Sequence, residues 1–441
     1  MPRVLPRLLP RLAANSSSKF DPFSLESVRW RGKSLRRPVP VHLSLHPADN
    51  SRSILLTRDN QITSSKKYVH HKSLPPRVHV GDRAGAKAGL YDKPRSMSEE
   101  ERRWWSSPYL RMLGSPLRQC LLTGQYLPKD FLIRLGAFRV SPPTSRFIAV
   151  GRAPDAALMP DGLLHSKFQV RRSGKAGYVL CWKDAISLLR EKGSYRRVVH
   201  NSHLHALLEQ QIGHLLRLRV LQELQLVIDQ LHFRPKHMAD RTLVRRLTRL
   251  EWQKLNQEGI LDIPNALAVI VVPPLNKNTI TKKRPEPSMS DFPPTQDGEP
   301  MSETPRKRSD LPLSEMRAEA PPHSSLNSDE IEDLSSNQIP LYHGASMFPN
   351  VTQRAALHRL LCRILSLERK ARYKKGIPVK ADQDKDSHAF ALMADEHNVK
   401  NADIAAVCIA LWRVKMFEGI GWEDHCGWIT RSKYYSVERY E

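Results

Sequence analysis

Few cysteines, few aromatic residues and no long apolar run mark this chain, and each shortage removes a class of protein. The five cysteines, Cys120, Cys181, Cys362, Cys408 and Cys426, are scattered and odd in number in 441 residues. They describe no disulfide framework and fit a reducing compartment. No run of 18 apolar residues occurs, so no segment reads as membrane-spanning. Aromatic residues make up 7% of the chain, proline (33) outnumbers glycine (20), and the mean hydropathy is −0.49. That composition predicts long stretches outside any core. Negative charge is also scarce. Against 70 Lys and Arg stand 45 Asp and Glu, a net +25 with a pI near 10.0. Such an excess points to a polyanionic partner, through steering and counterion release.

Enzyme signatures are missing as well. No Gly-x-Ser-x-Gly, His-Glu-x-x-His or Cys-x-x-Cys occurs. Asp382-x-Asp384-x-Asp386 starts like a calcium loop, but Ser387 stands where the turn glycine belongs and Met393 where the bidentate Glu belongs. His200, His203 and His205 lack a Cys or carboxylate pair at ligand spacing, so they read as exposed or capping residues. No cofactor or metal is expected, and the chain reads as a non-enzyme.

Positive charge is concentrated. Residues 101–200 hold 18 Lys and Arg against 6 Asp and Glu. Arg3, Arg7 and Arg11 recur every four residues among Val4, Leu5, Leu8, Leu9 and Leu12, with no acid before Asp21. This is the Arg-rich, acid-poor character of a mitochondrial presequence, and it places the protein in the mitochondrial matrix. Lys282-Lys283-Arg284 and Arg306-Lys307-Arg308 carry the alternative, a nuclear address.

The layout that follows is a presequence and disordered basic arm over 1–95, an α/β segment with a long helix over 96–235, and a helix-strand extension over 236–275. A disordered linker follows over 276–340, then a helical module over 341–441. Within it, Ser98 with Glu101 three residues on predicts a capped helix carrying Trp104 and Trp105. A helix is expected over 183–192. Leu204, Leu208, Leu215, Leu218, Leu221, Leu224, Ile228 and Leu231 mark one buried stripe of a helix over about 202–231. Leu267 to Val272 reads as a strand. The last module is expected as two helices, 355–374 and 402–418, whose faces with Trp412, Trp422 and Trp428 suit self-packing or a protein partner.

One constellation points to a function. Arg118-Gln119-Cys120 precedes Thr123-Gly124, Leu132-Ile133-Arg134 reads as a strand, and Asp161 follows Leu158-Met159-Pro160. The run closes on Gly174-Lys175-Ala176-Gly177-Tyr178. The two glycines let the backbone approach a ligand or take positive φ, with Arg171, Arg172 and Lys175 supplying charge there. Tyr178 in a following strand suits a stacked base.

In order and spacing these motifs resemble the bacterial YlxR family of small α/β RNA-binding domains, over residues 110 to 200. Lys175 stands where the family has Arg, and 136–160 reads as an insertion. The resemblance implies an α+β fold and binding to structured RNA, ribosomal or of a processing ribonucleoprotein. The contact residues expected are Arg118, Arg134, Lys167, Arg171, Arg172, Gly174, Lys175, Gly177 and Tyr178. The alternatives are a structural subunit or assembly factor of the mitochondrial ribosome, and a nuclear chromatin-associated scaffold.

Overall fold

A computed structural model describes residues 78–79, 95–139, 156–169, 174–200, 202–233, 242–261, 263–273, 275–277, 282–289, 312–319, 338–376, 386–400 and 402–418. Strands β1 (Val78–His79) and β2 (Arg95–Ser96) form a short parallel pair. Helix α1 (Glu99–Ser106) starts as expected. The Ser98 hydroxyl accepts from the Glu101 N–H at 3.2 Å, and the Glu101 carboxylate accepts from the Ser98 N–H at 3.0 Å. Ser107 then caps α2 (Pro108–Leu113), with proline at its first position.

The first sheet follows. A hairpin of β3 (Leu117–Gln119) and β4 (Tyr126–Pro128) turns at Gly124, whose φ of 73° suits glycine. A 3-10 turn (Lys129–Phe131) leads into β5 (Leu132–Arg139), which pairs antiparallel with β6 (Ala156–Pro160) and β7 (Ala176–Leu180). The two ends of the expected insertion therefore pair with each other as β5 and β6. Helix α3 (Lys183–Lys192) has the expected bounds and stops at Gly193, in the left-handed region. Next comes β8 (Ser202–Leu204), parallel to β6, giving the order β7-β5-β6-β8.

The long helix α4 (Leu208–His232) starts after β8, so Leu204 lies on a strand. Its buried residues exceed one stripe. Ile212, Gly213, His214, Leu216, Val220, Gln222, Glu223 and Val227 are buried beside Leu208, Leu221, Leu224 and Ile228. The reason lies in what surrounds it, since this helix is covered both by the first sheet and by the helices of the second half, in one continuous apolar core.

The second half is β9 (Val244–Thr248), α5 (Arg249–Glu258), β10 (Ile260–Leu261), β11 (Ala266–Val271), β12 (Ser314–Glu319), β13 (Gln338–His343), α6 (Gly344–Met347), α7 (Val351–Lys374), β14 (Asp386–Met393) and α8 (Ile404–Phe417). Its strands form one mixed sheet, β10-β12-β13-β11-β14-β9. Alternate residues serve two cores. Ala268, Ile270, Phe390 and Leu392 face the large core with α4, α7 and α8, whereas Val269, Ala389 and Ala391 face a smaller one with Leu255 of α5. A strand buried on both faces reads as a continuous apolar run, as Leu267 to Val272 does.

Two expected boundaries change here. The stretch 276–340 contains β12, paired with β13 in register Met316 to Pro340, so it is not wholly a linker. The carboxy-terminal stretch holds α7 and α8 but also β13 and β14, which complete the sheet begun by β9 and β11. Trp412 of α8 packs edge-on against Tyr109 of α2 with ring centroids 5.1 Å apart, a contact inside this chain. Trp422 and Trp428 lie outside the described residues, as does the presequence stretch. No helix among the described residues is long and apolar enough to cross a membrane.

Candidate nucleic-acid interface

Register places the site residues. Arg134 on β5 lies opposite Tyr178 on β7, so the two side chains share a face of the first sheet. The β3–β4 hairpin is fastened to the same strand, the Leu121 N–H donating to the Tyr178 carbonyl at 2.7 Å. That attachment brings the Arg118 guanidinium to 5.8 Å from the centre of the Tyr178 ring. Arg118 is exposed and Tyr178 half-buried, so the ring keeps an open part beside a solvent-facing cation. Gly174 and Lys175 are exposed at the entrance to β7.

Other expected contacts have different roles. Arg134 pairs with the fully buried Asp161 at 3.1 Å, while the Asp161 N–H donates to the Arg134 carbonyl at 2.9 Å. Arg134, expected as an RNA contact, is thus tied up in an internal ion pair with Asp161. Gly177 is buried within β7, and a Cβ there would stand 2.4 Å from Leu121 Cδ1 and 2.7 Å from Val198 Cγ2. Glycine at 177 allows the chain to pack on itself; neither it nor Gly174 has positive φ. Lys167 pairs with Asp229 of α4 at 2.7 Å, and that hydrogen bond holds the Asp229 carboxyl below its ordinary range. Arg171 and Arg172 lie outside the described residues. Cys120 is buried, as a small apolar residue.

Beside Arg134 and Tyr178 opens a polar cavity of about 380 Å³, with Lys129, His165, Arg219 and Arg413 on its walls and Asp130 and Asp161 among them. Arg219 of α4 pairs with Glu223 at 2.5 Å and donates to the Leu163 carbonyl at 3.2 Å. Arg413 of α8 donates to the Leu132 carbonyl at 2.9 Å. Burial is the main cause that holds His165 below the usual imidazole range, against the pull of Glu223, so its ring is neutral near pH 7. Phe168, exposed, meets that ring edge-on at 6.4 Å.

Sequence reasoning missed Lys129, His165, Phe168 and Arg413. Arg413 had a visible signal, a cation inside the apolar run Ile404 to Phe417. The others depend on the sheet to come together. A larger cavity of about 670 Å³ lies between α4, α7 and α8, beside His214 and Gln353. Its Arg217 and Glu418 pair with each other, which leaves it less charged. Glu99, Glu396 and His397 bring ligand atoms within 4.8 Å of one another at the surface, but Arg103 already takes the Glu396 carboxylate at 3.1 Å. Compared with protein-family models, curated proteins and solved structures, the chain matches none.

Proposed function

We propose that the chain is a non-enzymatic RNA-binding protein of mitochondria, and that its first sheet acts as a YlxR-like RNA-contacting surface. The observation that carries this reading is the exposed Arg118 guanidinium over the half-open Tyr178 ring, with Lys175 at the start of the same strand. A cation beside an aromatic face suits single-stranded or looped RNA, where a base stacks while the charge meets the phosphate. Arg171 and Arg172 add charge just upstream in the sequence. Arg134 and Gly177 support the surface from within.

The test is RNA binding by the full chain as salt is raised. Changing Arg118 and Lys175 together to Ala lowers the slope of log K against log salt by roughly 0.7 to 0.9 for each phosphate that is no longer neutralised. Tyr178→Leu weakens binding by about 1 to 3 kcal/mol with the slope unchanged, because stacking releases no counterions. Identical affinity and slope in folded variants and parent would exclude this surface. The address is tested separately. With Arg3, Arg7 and Arg11 replaced by Glu, uptake by isolated mitochondria is expected to stop, and undiminished uptake refutes the presequence.

A further inference from the structure

The cavity beside Tyr178 is assembled from three distant parts of the chain. Lys129 and Arg134 come from the 3-10 turn and β5, Arg219 from α4, and Arg413 from α8. Three carboxylates balance part of this charge: Asp161 at Arg134, Glu223 at Arg219, and Asp130 on the wall. Arg413 is different. One of its N–H groups donates to Leu132, but its buried Nε has no hydrogen-bond partner, and no carboxylate pairs with it among the described residues. A buried donor without an acceptor is costly, and more so when it carries charge. The two guanidiniums also feel each other. Burial holds Arg219 below its ordinary pKa, and the nearby Arg413 adds to that depression against the opposing pull of Glu223.

An anion in the cavity between Arg219 and Arg413 would offset their mutual repulsion. A planar guanidinium matches the oxygens of a phosphate, and Arg219, whose Nε and one terminal nitrogen already meet Glu223 while the other meets the Leu163 carbonyl, adds positive charge from a second helix. The volume of about 380 Å³ is at the small end of ligand sites, which span roughly 300 to 1,000 Å³, and leaves room for more than a phosphate alone. Tyr178 supplies an aromatic wall. Asp161 in the cavity lining is fully buried and the Arg134 side chain 17% exposed. A terminal phosphate carries an additional negative charge and sugar on one side only, so it suits a walled cation-lined cavity better than a phosphate inside a continuous strand.

We propose that this cavity binds the terminal phosphate of a nucleotide, held by Arg413 and the charge of Arg219, with Tyr178 facing its sugar or base. The RNA arm of this inference rests on the RNA-binding reading; the free-nucleotide arm does not.

The full-length chain is titrated with AMP by calorimetry, and with one RNA oligonucleotide bearing a phosphate at its 5′ end, its 3′ end or neither by fluorescence anisotropy. An end phosphate is expected to tighten binding roughly tenfold or more, about what one hydrogen bond to a charged group is worth. Arg413→Met abolishes that gain and Arg413→Lys restores part of it. AMP binding that depends on Arg413, with no end preference, keeps the cavity and makes a free nucleotide its ligand. Equal affinity for all three oligonucleotides and no AMP binding to the parent overturns the inference, whether or not the Met variant folds. In that case salt-dependent binding of the phosphate-free RNA would leave the RNA-binding reading standing. AMP binding without any RNA binding has the opposite meaning.

Discussion

At the scale of single residues, the ion pair between Arg134 and Asp161 separates a structural role from a contact role. Asp161 is fully buried, and the Arg134 side chain is 17% exposed. Removing one partner leaves a charge uncompensated in a poorly solvated place, a loss of about 3 to 5 kcal/mol for buried pairs. Arg134→Met and Asp161→Asn are therefore each expected to lower the unfolding free energy by an amount of that order in urea denaturation. The double change Arg134→Met with Asp161→Leu should recover much of the loss, because no charge is then stranded. An Arg134→Met protein of full stability would show the pair to be dispensable, and would make Arg134 a candidate RNA contact again. The same residues mark where sequence reading reached its limit. Arg118 and Tyr178 were legible only as members of one set of expected contacts, and their closeness depends on the Leu121 to Tyr178 hydrogen bond. That Arg134 is held by Asp161, and that Gly177 makes room for Leu121 and Val198, depends on pairings between strands far apart in sequence.

At the scale of elements, legibility followed locality. The start of helix α1 and the span of α3 were readable because their signals are local: a serine cap with its reciprocal glutamate, and a glycine able to take positive φ. Helices α7 and α8 were readable within a few residues from their apolar spacing. Strand β11 was readable because both its faces are buried. Strands β9 and β12 were not. Val244 to Thr248 has two arginines in five residues, and Ser314 to Glu319 has two glutamates and an arginine in six. Their place in the sheet comes from partners: β14 for β9, and β13 with β10 for β12. Strand propensity reflects fit to a neighbouring surface more than an intrinsic preference, so a window of sequence without the neighbour carries little signal. The polar start of β8 was absorbed into the helix that follows it for the same reason.

At the scale of the whole molecule, the expected division into an amino-terminal domain and a separate carboxy-terminal module gives way to interleaving. β11 lies between β13 and β14, and β9 lies beside β14, so chain from both sides of residues 291–311 builds one sheet. A protease site engineered near residue 300 and cut in the folded protein is expected to leave the two pieces together. They should co-elute in size-exclusion chromatography under native conditions and part in denaturant. Separation in native buffer would mean that the two halves hold independent cores, against the continuous core around α4.

The burial of α4 on several sides also sets a schedule for synthesis. Its last residue, His232, is made 185 residues before Phe417, the end of the helix that covers it (417 − 232). At roughly 5 to 20 residues per second, that interval is about 10 to 40 s. Throughout it the apolar surface of α4 that α8 will shield has no partner on the nascent chain, and within it β11 gains its neighbours only as β13 and then β14 are made. For that interval, under half of the synthesis of the 441 residues, the nascent chain exposes apolar surface of the kind that chaperones bind, and the halves close on each other only once α8 has been made.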